Sequence, residues 1–278
     1  MLNGAALLVD DDCAITCGMR PPQNPARRSR NIGTAKQGHG QDNALVIPQP
    51  DDGLYWLERL SGFRREEREV AGKTVLFIIE ANALGCVHPC SVSDVVWMLE
   101  SLHASEWSGL RTVVFRQPTR KQLVLRPAWG RLSYHAELNS AKGQIVAKGP
   151  VLFLDAIMPG QSLTWSTRLD PDDARELERL RHDGHDIARS GRQHVITITP
   201  ASARNTQLYR TLLHEIGHWF DWLSKVEEPA MRGQDRGELE NAYFARPRSE
   251  RDAFAHRYAD QCRARMIDSG FIPFEPRH

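Results

Sequence analysis

The stretch Thr211–Trp222, "TLLHEIGHWFDW", constrains this chain more than any other. Leu212, Leu213, Ile216, Trp219 and Phe220 flank and interleave the polar residues, and the segment reads as a helix buried on most sides. Polar groups on such a helix need partners, because desolvating an unsatisfied imidazole or carboxylate is costly. Yet His214, Glu215 and His218 stand in the middle of it. His214 and His218 are four residues apart and share one face, with Glu215 one position round from the first. Two imidazoles aimed at one point, with a carboxylate alongside, make the HExxH arrangement: neutral nitrogens hold Zn²⁺ and the Glu takes a proton from water. The plain alternative is a pair of core histidines hydrogen-bonded to their neighbours. Gly217 costs a helix ~1 kcal/mol relative to Ala, which points to close approach by another segment. Asp221 is placed to bond a ring nitrogen and fix its tautomer, or else to face solvent.

The rest of the chain limits what surrounds this helix. With 278 residues and seven Trp there is material for one large domain plus an appended segment. A formal net charge of +1 supplies no global field toward nucleic acid or a membrane surface. The apolar run in "MLNGAALLVDDD" has no basic residue before it, and three Asp close it, unlike a secretory signal. No run approaches the ~20 apolar residues of a membrane span. Five Cys, an odd number at low density, fit a reducing, cytoplasmic setting. Delivery to another cell as an effector or toxin would change the setting and not the chemistry. "CVHPC" groups Cys86, His88 and Cys90, and "CAITC" repeats the Cys spacing at Cys13 and Cys17, a loose pattern for a second zinc site.

Residues 1–50 read as a disordered leader. They are rich in Pro, Gly, Asn and Gln, with a basic patch, "MRPPQNPARRSRN", that lacks the aromatics a nucleic-acid platform needs. Residues 51–72 read as a helical segment, from the recurrence of Leu54, Trp56, Leu57 and Leu60. From 73 to 278 the pattern is that of one α/β (α+β) domain. "KTVLFIIEA", the helix "CSVSDVVWMLESLH" capped by Ser91 or Ser93, and "LRTVVFRQP" suggest a βαβ unit. Strands are expected around "KQLVLRP" to "GRLSYHAEL" and at "GPVLFLDAI". A charged helix, "DPDDARELERLRHDGHDIARS", follows with Asp170 as cap and Pro171 at its first position. "HVITITP" reads as a short strand, "TPASARN" as a cap, and "SERDAFAHRYADQCRARM" as a closing helix.

With these motifs on the page, the chain resembles the zincin metallopeptidases, of which "HEIGHWFD" looks like the active-site helix. The metzincin branch is excluded, since Asp221 and Ser224 stand where its Gly and third His would be. The glutamate-zincin branch, including repressor-cleaving ImmA/IrrE-type and lethal-factor-type proteases, takes its third ligand from a later ExxA helix. "DAFAHRYA" is similar to it, with Asp252 at the carboxylate position, Ala255 at the small one, His256 at the polar one and Tyr258 at the aromatic one. The departure is Asp for Glu, a side chain one methylene shorter that demands a closer helix. Glu250 and His256 are the rival third ligands. The resemblance implies a mixed twisted sheet on the metal helix, a C-terminal third-ligand helix, and an oxyanion-stabilising group. For that group Tyr243, in what reads as the loop "ENAYFARPRSE", is the first candidate and Tyr258 the second.

The expectation is therefore a zinc peptidase acting on a protein or peptide substrate. His214, His218 and Asp252 would hold Zn²⁺, Glu215 would be the base, and "GPVLFLDAI" would be the edge strand along which substrate extends. The rival from another class is a zinc-stabilised sensor or protein-binding module without catalysis. Structural zinc normally has four protein ligands, which favours the enzyme.

Overall fold

The computed structural model describes residues 56–119, 122 and 128–277. The leader, with Cys13 and Cys17, and most of "KQLVLRP" lie outside these residues. Strands β1 (Phe63–Val70) and β2 (Lys73–Glu80) pair antiparallel. Helix α1 (Val92–Ser101) then crosses to β3 (Thr112–Arg116), which lies parallel to β2, so the βαβ unit is present. Ser91 is its cap: the Ser91 Oγ accepts from the Asp94 amide and Asp94 Oδ2 accepts from the Ser91 amide, both at 3.0 Å. Strands β4 (Gly130–Asn139) and β5 (Ile145–Asp155) complete a mixed sheet of order β1-β2-β3-β5-β4.

A second, antiparallel sheet contains β6 (Ser162–Ser166), β7 (Asp186–Ser190) and β8 (Gln193–Thr197) in the order β6-β8-β7. Helix α2 (Pro171–His182) packs on it through Leu177 and Leu180, which join Leu163, Trp165 and Ile196 in a small separate core. Asp170 caps α2 and Pro171 opens it, as the sequence indicates.

The motif helix is longer than its sequence pattern suggests. "TPASARN" is a helical turn in its own right, α3 (Pro200–Thr206), capped by Thr199. It continues through a π-helical turn at Gln207–Thr211 into α4 (Leu212–Trp222), then through a second π turn at Leu223–Glu227 into α5 (Glu228–Met231). Helix α6 (Arg236–Ala245) and the long α7 (Arg248–Asp268) follow. The main core lies between the sheet and α1, α4 and α7. Phe77, Phe115, Leu152 and Leu154 come from the strands, Met98 from α1, and Leu213, Ile216 and Trp222 from α4. The other sheet face is covered by Leu57 and Leu60, packed with Ile78, Val114 and Phe153. The architecture is mixed α/β, with a mixed sheet and several helices.

Three expectations about elements are corrected. Of the helical segment expected over 51–72, residues 51–55 lie outside the described residues, and the described part, 56–72, is no such helix: Trp56–Glu58 makes a 3₁₀ turn and Phe63–Val70, "FRREEREV", is a strand. Its charges line an exposed outer strand whose partner, β2, supplies the order. The α2 helix stops at His182. Asp183 is its C-cap and Gly184, at φ +90°, turns the chain so that "DIARS" becomes β7. Finally, "GPVLFLDAI" is not at the sheet's edge. It lies in β5, between β3 and β4, and β4 is the outer strand.

Candidate metal centre

The site forms where α4 and α7 lie side by side, at the one place where their backbones approach closely. Gly217 is the reason. A Cβ built on it would stand 3.0 Å from the Ala255 Cα, 3.1 Å from the Ala255 carbonyl oxygen and 3.0 Å from Tyr258 Cδ1. Ordinary carbon contacts are about 3.5–4.0 Å, so a larger residue here would press α7 away by a few tenths of an ångström. The sequence reading of Gly217 as a point of close approach therefore holds.

His214 and His218 are both 2 % exposed, and their Nε2 atoms face each other at 3.0 Å. Asp252 reaches across from α7, with Oδ1 3.5 Å from His218 Nε2. One ligand atom from each of the three residues lies within 4.8 Å of the others. Two donors each about 2.0–2.1 Å from a tetrahedral zinc lie about 3.3 Å apart, so the observed spacings suit that ion. Glu215 is fully buried beside His214. Neither His214 Nδ1 nor His218 Nδ1 has a hydrogen-bond partner in the protein. Within the chain, then, the Nε2 atoms have each other and Asp252 as neighbours, and the Nδ1 atoms are the ones left over.

Electrostatics prepare both imidazoles to bind a cation. Burial, reinforced by His218, His256, Arg210 and Arg179, holds His214 well below the ordinary histidine range. Burial, then His256, Arg251 and Arg248, brings His218 down to about 3. Both rings are thus neutral near pH 7, the form in which histidine is a ligand.

The structure also separates the rival ligands. Glu250 is 58 % exposed in its side chain and pairs with Arg246 at 2.9 Å, outside the cluster. His256 is one turn beyond Asp252, and its ring centroid is 4.3 Å from that of His214. Its nitrogens are not part of the converging group, so it packs against a ligand instead of completing the set.

Other expectations are revised. Asp221 is fully buried, but its Oδ2 accepts from Arg246 Nη1 at 2.7 Å and not from an imidazole. Tyr243 is on helix α6 and not in a loop. It is 2 % exposed, packed against Tyr134, Trp222 and Phe244, with its hydroxyl 3.1 Å from that of Tyr134. A swing into the site does not fit that position. The Tyr258 hydroxyl donates to Glu106 Oε2 at 2.9 Å. Cys86, His88 and Cys90 do not converge: the Cys90 thiol donates to Gln207 Oε1 at 3.2 Å, while His88 Nε2 lies 3.4 Å from the Glu80 carbonyl. Among the described residues, His214, His218 and Asp252 are the group placed to hold a metal.

Two supports escaped the sequence reading. Arg210, one turn before His214, donates through Nε to Asp183 Oδ2 at 2.6 Å and through Nη1 to both Glu176 oxygens at 2.9 and 3.0 Å. Asp183 Oδ1 also accepts from Arg263 of α7 at 2.8 Å. Arg246 similarly joins Asp221 to Glu250. The available signal was a charge on a buried helix: Arg210 and Asp221 each demand an opposite partner, and only the partner's identity is hidden.

No known protein family, curated protein or solved structure gives a significant match to this chain. Among the described residues, no helix is long and apolar enough to cross a membrane.

Proposed function

We propose that this chain is a zinc-dependent peptidase of zincin-like architecture, acting on a protein or peptide substrate. The observation that carries the reading is the convergence of two buried imidazole nitrogens, 3.0 Å apart, with the Asp252 carboxylate, on a helix where the buried Glu215 follows His214. His214, His218 and Asp252 would hold the ion, which supplies Lewis acidity toward water and a peptide carbonyl. Glu215 is next to His214 in the chain, so its carboxylate is the group available to take a proton from attacking water and return it to the leaving amine. The neutral state of both histidines keeps their Nε2 lone pairs for the ion.

Glu215→Gln tests this, because it preserves shape and the ligand set while removing the base. Partners trapped by the Gln form and then presented to zinc-loaded wild type should be cleaved. The Gln form should cleave them slower by about 10²–10⁴-fold at equal metal content. Trapped partners that stay intact, and bind both forms equally, would make the chain a binding module.

A further inference from the structure

The α4–α7 spacing and the length of the third ligand are two parts of one device. A Cβ on Gly217 would stand 3.0–3.1 Å from the Ala255 backbone, so the helices touch main chain to main chain one turn from Asp252. At one end of this seam, Arg246 bonds Asp221 of α4 at 2.7 Å and Glu250 of α7 at 2.9 Å. At the other, Asp183 bonds both Arg210, ahead of α4, at 2.6 Å and Arg263 of α7 at 2.8 Å. Held at both ends and touching in the middle, the helices bring a short carboxylate to 3.5 Å from His218 Nε2. We infer that Gly217 is a positioning residue that matches the inter-helix distance to an aspartate, so that this frame selects Asp over Glu at position 252. The inference rests on the proposed metal site and goes beyond it.

The distances indicate how the match would break. An alanine Cβ at 217 would stand 3.0–3.1 Å from the Ala255 backbone, so α7 must give by a few tenths of an ångström, carrying Asp252 away from the histidines. Glutamate adds one C–C bond, about 1.5 Å of reach. In the native frame that extra length must fold back. In a slightly widened frame less of it must do so. The penalty of Asp252→Glu should therefore be smaller with alanine at 217.

Zinc affinity of the full chain, measured by competition with a chromophoric chelator, reads this without any substrate. Misplacing a support typically costs 10–100-fold in metal affinity, so Gly217→Ala should weaken binding by about that factor, although Ala is the better helix former. Asp252→Glu alone should weaken binding by about tenfold, and by clearly less in the Gly217→Ala background. Equal effects of Asp252→Glu in both backgrounds, or a larger loss with alanine at 217, would overturn the inference and leave the metal site standing. A wild type that binds no zinc would overturn both. Should Gly217→Ala fail to fold, the single Asp252→Glu variant still decides, since that side chain is 31 % exposed: zinc binding as tight as wild type or tighter would overturn the match.

Discussion

Two buried polar clusters flank the same helix, and they are built in opposite ways. Around Asp183, charge meets charge. Its carboxylate accepts from Thr206, Arg210 and Arg263, and Arg210 in turn engages both oxygens of Glu176. Around His214 and His218 the rings face each other, both Nδ1 atoms lack a hydrogen-bond partner, and Asp252 reaches in from another helix. The first cluster pairs opposite charges, with Arg210 Nη2 the one nitrogen of that side chain left without a hydrogen bond, and fixes where helices sit. The second brings like groups together: two neutral imidazole nitrogens and a carboxylate oxygen lie within 4.8 Å of one another. Burial alone does not distinguish glue from a ligand site; whether the buried groups are opposite charges paired with each other or acceptors gathered at one point does.

The largest effect that bears on this contrast is expected at Asp183. Asp183→Ala removes the carboxylate shared by Thr206, Arg210 and Arg263, leaves Arg210 with Glu176 alone, and should cost about 2–4 kcal/mol of folding stability in urea titrations. The matching change in the other cluster, His214→Leu, should keep metal-free stability within about 1.5 kcal/mol of wild type while abolishing zinc binding. If the histidine variant is the more destabilised, the two clusters have been assigned the wrong roles.

Acid sharpens the comparison. His218 and His256 are each held to about 3 in the fold, and His214 is lowered as well, by burial first and neighbouring charges second. Between an unfolded value near 6.5 and these depressed values, the unfolded chain binds more protons than the native one. Metal-free stability is therefore fully present above pH ~6.5 and falls as pH drops toward ~3. Unfolding midpoints of the chelator-treated protein should show this slope, and His214→Leu should make it shallower. A midpoint independent of pH from 7 to 4 would contradict the neutral-ring account.

The smallest effect belongs to Glu250. It is exposed and tied only to Arg246. Glu250→Ala should change stability by no more than about 0.5 kcal/mol and, as one exposed tie of the α4–α7 seam, should weaken zinc binding far less than Gly217→Ala does, as judged by the same titrations.

What was legible in the sequence followed from local chemistry. The β-branched run of β2, the Ser91 and Asp170 caps, and the His214–His218 face each have a cause within a few residues. What was not legible depended on partners distant in the chain. Strand β1 carries charge on both faces and is ordered only by pairing with β2, from Phe63 opposite Glu80 to Val70 opposite Lys73. Tyr243 reads as a loop residue until Tyr134, Trp222 and Phe244 are seen packed around it. Asp221 looks like a tautomer-fixing carboxylate until Arg246, from the end of α6, takes its place beside it. One misreading had a local remedy. Val151, Leu152, Phe153 and Leu154 are a continuous buried run, the mark of an interior strand and not of an edge.

The most direct measurement is elemental analysis of the purified full-length chain beside its His214→Leu and His218→Leu variants, each exposed to zinc and then desalted. The wild type should carry about one zinc per chain and both variants essentially none. Full zinc content in both variants, or no zinc in the wild type, would contradict the claim that this histidine pair is a metal site.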